Sequence, residues 1–371
     1  MQVSLLLWAY YTDINYFIQK IPTYYILSLQ TFILLRYRFS TVIPLLFISG
    51  YCHAQLQRFH FSQPKMGSPF NLIFYANDST RANVLAAKCF QLVDSLNVIF
   101  SDYLPTSELS KLSATAGKES KPVPVSPAMM DILLRSKKAY QQSNGAFDVT
   151  IGPLIKVWRQ ARKEKTFPDD TIIKKILPLV NFNNIHIDTI HQTVLLTKRG
   201  MQLDVGGIAK GYTAQQVINL LKQNGITQAL VDAGGDIAAS GAPPNTNGWS
   251  IGINVPETED DLLSKKIVLH DMAVATSGDV YQYIEHNGKK YSHITDPRTG
   301  YGVTLQRNVT VIAKDGATAD WLATACSILP IKEAKKLATS MHAQLLIATT
   351  KEDHILFYFT KGFTNYLSVA K

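Results

Sequence analysis

Four short segments in the second half of the chain concentrate the residue types that perform chemistry. Leu203-Asp-Val-Gly-Gly-Ile-Ala-Lys-Gly211 reads as a strand end, paired glycines and a helix start, with Lys210 in the first helical turn. Glycines allow backbone groups to approach a ligand closely, and a helix N-terminus favours anions, so a lysine there suits a diphosphate. The pattern is neither a P-loop nor a GxGxxG fingerprint, and taken alone it serves equally well as a packing turn. Val231-Asp-Ala-Gly-Gly-Asp236 offers Asp232 and Asp236 to a metal or a ribose, although Asx–Gly turns also brace loops. Thr276-Ser-Gly-Asp279 precedes Ser292-His-Ile-Thr-Asp-Pro-Arg-Thr-Gly300, which gathers a His, an Asp and an Arg. His293, set between Ser and Ile, suits a core histidine as readily as a site. In Asp315-Gly-Ala-Thr-Ala-Asp-Trp-Leu-Ala-Thr-Ala325, Asp320 and Thr324 lie four apart and share one helical face. Such hard oxygens suit Mg²⁺, whereas no His/Cys cluster has zinc spacing. The alternative is a capped, Ala-rich helix that carries an aspartate near its first turn.

The elements that must position these residues follow from patterning. Gln57–Phe61 and Pro69–Ala76 read as strands around Met66-Gly67, and Thr80 as the cap of a helix to Phe100. That helix is expected to bury Val84, Leu85, Leu92, Val93, Leu96 and Ile99. A polar stretch runs to Lys121. Ser126-Pro127 opens a second helix that Asn144-Gly145 closes, and 168–178 suggests a short third. Ile185–Ile187 and Val194–Thr197 form a hairpin pattern, and a helix runs from Ile208 to Gln223. Strands are expected at 229–231, 237–239, 249–254, 274–276, 280–284 and 309–313. Helices near 316–328 and 332–341 precede closing strands at 344–348 and 355–359. Strands and helices mix without strict alternation, which favours an α+β fold over a doubly wound sheet.

The 371 residues, 46% hydrophobic and 18% charged, are a globular composition. The net charge is +9, and without the first 54 residues 34 basic side chains remain against 27 acidic ones. A basic surplus fits an anionic ligand. The lysines are scattered and no nucleic-acid motif is present, so a solvated surface is the expectation and no nucleic acid is expected as partner. Cys89 and Cys326 fall in helical patterns and read as buried thiols. Near the start, Arg36 and Arg38 precede the apolar run Thr41–Gly50, and Cys52-His-Ala54 supplies small residues before Gln55. This is the layout of a secretory signal, with a membrane anchor as the alternative. The expected organisation is a signal or anchor region over 1–54 and one domain over 55–371.

In order along the chain, these segments resemble the ApbE family of FAD:protein FMN transferases. The matching residues are Met66-Gly67, Ser101-Asp-Tyr103 with Ser107-Glu-Leu-Ser110, and Gly145-Ala-Phe-Asp148 with Gly152-Pro-Leu154. They continue through Leu203–Gly211, Asp232–Asp236, Thr276–Asp279, Ser292–Gly300 and Ala319–Ala325. The resemblance implies an ApbE-like mixed core and an FAD site formed by Met66, Tyr103, Ala146, Phe147, Asp148, Asp204, Lys210 and Ile294. It implies Mg²⁺ held by the Gly207 carbonyl, Asp320 and Thr324, with Asp320 or His293 as candidate general base. The implied reaction moves FMN from FAD to a Thr or Ser hydroxyl of an acceptor protein and releases AMP. The acceptors implied are extracytoplasmic redox subunits, such as those of sodium-pumping NADH:quinone reductases. That location is periplasmic or on the outer face of the cytoplasmic membrane, with membrane association through the N-terminal segment as a further expectation. A flavin carrier and an FAD pyrophosphatase are the alternatives. Two departures stand out: Asp102 replaces the arginine usual before the tyrosine, and Ser113 replaces the usual asparagine.

Overall fold

The computed structural model describes residues 56–118, 121–254, 262–278, 283–351 and 354–368. The expected leader, with Cys52, and Asp279 lie outside the described residues. Among those residues no helix is long and apolar enough to cross a membrane.

An eight-stranded antiparallel sheet forms the centre. In chain order its strands are β1 (Gln57–Lys65), β2 (Ser68–Ala76), β6 (Ala229–Ala233), β7 (Ile237–Ser240), β10 (Ala273–Gly278), β13 (Arg307–Ala313), β14 (Gln344–Lys351) and β15 (His354–Phe359). They lie side by side in that order, and every pairing is antiparallel. β1 and β2 meet in a hairpin at Met66-Gly67, where both residues have positive φ (50° and 77°). Phe70, Leu72, Phe74 and Ala76 alternate into the core along β2, the period-2 burial of a half-buried strand.

Helices cover one face of this sheet and form the main core with it. Helix α1 (Ser79–Phe100) buries Leu85, Cys89, Val93 and Leu96; Asp78, not Thr80, caps it by accepting from the Arg81 N–H. Val84, expected on the buried face, is about half exposed. Helix α3 (Pro127–Gln142) has Ser126 as its N-cap and Pro127 in its first turn, as the pattern predicts. Helices α6 (Ala209–Gln223) and α7 (Gly316–Ile328) bury small and branched residues against the sheet and against each other. They touch at Gly211 and Gly316, where a Cβ on either glycine would overlap the carbonyl of the other. Helix α8 (Ile331–Ser340) follows directly. Cys89 and Cys326 are buried free thiols, and burial pushes both pKa values up to about 12.

Two helices depart from the sequence expectation. The polar stretch before Lys121 contains α2 (Glu108–Ala114), capped by Ser107. Gly152-Pro153 opens α4 (Gly152–Glu164), which was not expected as an element at all. Leu154, Trp158 and Ala161 recur on its inner face and pack, with Ile173 of α5 (Asp170–Ile176) and Ile284, into a separate small core.

Candidate active site

A cavity of about 450 Å³ opens where these elements converge, a size typical of a small-molecule site. Three parts of its wall come from the motifs. The turn into α6 brings Asp204, Gly206, Gly207 and Lys210; α7 brings Asp320, Ala323 and Thr324; the β6–β7 turn brings Asp236. The end of β10 adds Thr276, Ser277 and Gly278, and the loop after β12 (Lys289–Ser292) adds His293 and Ile294. Ala146, Phe147 and Asp148 come from the loop before α4, and Asp102 and Tyr103 from the connection between α1 and α2. Of the residues expected to bind FAD or the metal, Met66 is absent from this wall: it sits in the β1–β2 turn and packs against the main core. Asp232, Asp296 and Arg298 do not line it either.

Local hydrogen bonds explain why these segments adopt their shape. The Asp204 carboxylate accepts from the Gly206 N–H at 2.7 Å, and the Asp204 N–H donates to the Val149 carbonyl at 2.8 Å. This fastens the α6 turn to the Ala146–Asp148 loop. Asp148 is a brace as well as a lining residue, since its carboxylate accepts from the Thr150 N–H and hydroxyl and from the Phe182 N–H. Burial still pushes its pKa up, against those bonds. Ser113 takes a structural part too, accepting from the Leu203 N–H at 3.0 Å. Asp296 and Arg298 pair with each other at 2.8 Å within their turn, and Asp232 accepts from Asn71 and the Gly235 N–H. Those three residues therefore follow the bracing alternative.

One end of the cavity is acidic. Asp236 and Asp320 are 5% and 6% exposed, and Lys210 pairs with Asp236 at 2.8 Å. Burial drives the Asp320 carboxyl well above its ordinary pKa, and the charge of Asp236 adds to that. Burial raises Asp236 as well, while Lys210 draws it back. Burial alone would lower Lys210; Asp236 and Asp320 together outweigh it and hold its pKa above normal. Two buried carboxyls share one ammonium, and keeping both ionised at low dielectric is costly without a second cation.

The residues expected to hold a divalent cation meet at this end. A Cβ on Gly207 would lie 3.0 Å from the Thr324 hydroxyl oxygen, so only glycine leaves a gap between that backbone and that hydroxyl. Asp320, one turn before Thr324 on α7, accepts from the Gly211 N–H at 3.0 Å through one carboxylate oxygen, leaving the other available. A carbonyl, a hydroxyl and a carboxylate are a hard-oxygen set that fits Mg²⁺. Among the described residues no group of three or more His, Cys, Asp or Glu side chains forms a metal cluster.

Two arginines also line the cavity, and sequence reasoning missed them. Ile155, Arg159 and Arg162 form a stripe on α4, one position on from its core stripe, and all three line the cavity. Arg159 pairs with Asp102 at 2.9 Å, approaches Asp204 at 3.9 Å and lies 4.1 Å from the centre of the Tyr103 ring. Burial and the neighbouring Asp102 charge lift the Asp204 pKa to about 6, against the Gly206 N–H and Arg159. The available sequence signal was the parallel pair of spacings, 154/158/161 apolar and 155/159/162 mixed. The Gly-Pro at the helix start obscured it.

Known proteins share this architecture. The ApbE family signature matches residues 66–347. An FAD:protein FMN transferase of Klebsiella pneumoniae (strain 342) is 32% identical over 263 residues, spanning 71% of this chain and 79% of that one. One of Vibrio cholerae is 28% identical over 330 residues, spanning 87% and 97%. The solved flavin transferase ApbE from Vibrio cholerae superposes with a TM-score of 0.75 at 27% identity, covering 84% of this chain and 100% of that one. The apbe protein from Thermotoga maritima gives 0.75 at 26% identity, covering 84% and 99%. With its motifs gathered around one cavity and a family match spanning most of its length, the chain belongs to the ApbE family.

Proposed function

We propose that this chain transfers FMN from FAD to a Thr or Ser hydroxyl of an acceptor protein, with Mg²⁺ bound and AMP released. Flavin transfer is the activity that goes with its family; the metal, the hydroxyl acceptor and the leaving group are the finer parts of the proposal. The observation that carries it is the acidic end of the cavity. There Asp236, Asp320 and Lys210 sit beside the Gly207–Thr324 gap, a place suited to a cation and an anionic diphosphate together.

In this reading Gly207, Asp320 and Thr324 hold Mg²⁺, which supplies charge neutralisation at the diphosphate. Lys210, oriented by Asp236, adds a fixed positive charge near the oxygens that become more negative as the phosphoanhydride breaks. The acceptor hydroxyl attacks the FMN phosphorus in line with the departing AMP, so positioning contributes more than covalent help. Asp320 and His293 both line the cavity and are the candidates to receive the hydroxyl proton.

The test is AMP release from FAD, measured with and without Mg²⁺ and an acceptor domain. The proposal expects release only when both are present, and Asp320→Ala to lower it by at least about 100-fold. Full activity in that variant would refute the metal assignment. Release of AMP and free FMN without acceptor would instead support the pyrophosphatase reading. Export belongs to the same proposal, supported by the charge and apolar pattern of residues 36–54 and by the extracytoplasmic acceptors that the family resemblance implies. A secreted mature chain beginning at Gln55 in N-terminal sequencing is the expected result; a retained, uncut chain would favour an anchor.

A further inference from the structure

At the wall of the cavity, Arg159 has three partners, each met by a different part of the guanidinium group. Asp102 and Asp204 flank it at 2.9 Å and 3.9 Å, and the ring of Tyr103 lies under it at 4.1 Å. Tyr103 is otherwise open, with 70% of its surface exposed at the cavity wall. A tyrosine so exposed on a connection between helices buries little of its ring against the protein. The cation on one face supplies that restraint, and a planar guanidinium does so better than an ammonium. Arg162 lies one turn further along α4, and burial together with the Arg159 charge lowers its pKa. Two like charges one turn apart repel, which favours the Arg159 position against Asp102. Asp102 is the residue that departs from the family pattern, where an arginine is usual.

We propose that Arg159 is a positioning residue: pinned by Asp102 and Asp204, it holds one face of Tyr103 so that the opposite face presents a stacking platform for the planar ring of the substrate. This rests on the reading of the cavity as an FAD site. Arg159 acts through Tyr103 and does not itself need to touch the flavin.

The experiment is equilibrium binding of FAD to the full chain, followed by flavin fluorescence, alongside steady-state transfer. Arg159→Met is expected to weaken FAD binding about fivefold, raising KM for FAD while kcat stays within about twofold. Asp102→Asn, which loosens Arg159 without removing it, should give a smaller loss in the same direction. Arg159→Lys should recover only part of the affinity, because it restores charge but not the flat stack. In a Tyr103→Leu background Arg159→Met should cost nothing further, since its effect runs through the ring. Undiminished affinity in Arg159→Met, or an equal loss in the Tyr103→Leu background, would overturn the inference and leave the flavin reading standing. Absence of FAD binding by the wild-type chain would overturn that reading and this inference with it.

Discussion

The carboxylate of Asp204 holds the α6 turn through Gly206 and faces both Asp102 and Arg159. Burial, with Asp102 second, raises its pKa to about 6 from an ordinary 3.8. The folded chain therefore keeps a proton on this group that the unfolded chain has already released between about pH 4 and 6. By linkage its contribution to stability falls as pH rises through that window. Replacing it by Asn should flatten the difference in urea-unfolding free energy between pH 4 and pH 6.5 by at most about 3 kcal/mol. An unchanged pH dependence in Asp204→Asn would mean that the group is solvated and titrates normally. The residue scale is also where the sequence spoke most clearly. The residues expected to bind FAD or the metal, Met66 excepted, reach the cavity, most of them from a Gly-containing turn or a helix face whose spacing fixes their direction. Asp148 and Asp296 show the limit: a carboxylate in a motif can serve a neighbouring N–H, and only the hydrogen bonds reveal it.

Helices α6 and α7 carry Lys210, Asp320 and Thr324, so the distance between the two helices sets the geometry of the acidic end. That distance depends on Gly211 and Gly316, and a Cβ on Gly211 would also lie 2.7 Å from the Asp320 Cβ. Gly211→Ala should cost about 2–3 kcal/mol of stability and displace Asp320 from Gly207 and Thr324. The expected result is a lower Tm together with weaker Mg²⁺ dependence of activity; wild-type values for both would contradict this packing role. Most elements were legible from periodicity and caps, including α3 with its Ser-Pro start and the short strands of the central sheet. Helix α4 was not, because Gly152-Pro153 reads as a turn, although Pro in a first turn also starts helices. Arg159 and Arg162 were lost with it. The start of α1 was misplaced for a related reason, since Asp78 and Thr80 are both capping residues and only one accepts from the backbone.

Seen whole, the described residues form an antiparallel sheet covered by helices, with a cavity where the motif segments converge. The order of the strands places residues from positions 102 to 328 around that cavity, a long-range convergence that periodicity alone does not encode. The ordered series of motifs carried that information instead, through resemblance to the ApbE family, and the family match over residues 66–347 agrees with it. The basic surplus of the chain fits an anionic dinucleotide substrate at this site. The central claim is that this cavity moves FMN onto a protein. Its most direct test is mass spectrometry of an extracytoplasmic redox-subunit domain after incubation with residues 55–371, FAD and Mg²⁺. The account predicts a gain of one FMN on a Thr or Ser, abolished by a chelator. An unmodified acceptor, with FAD either hydrolysed to free FMN and AMP or left intact, would contradict it.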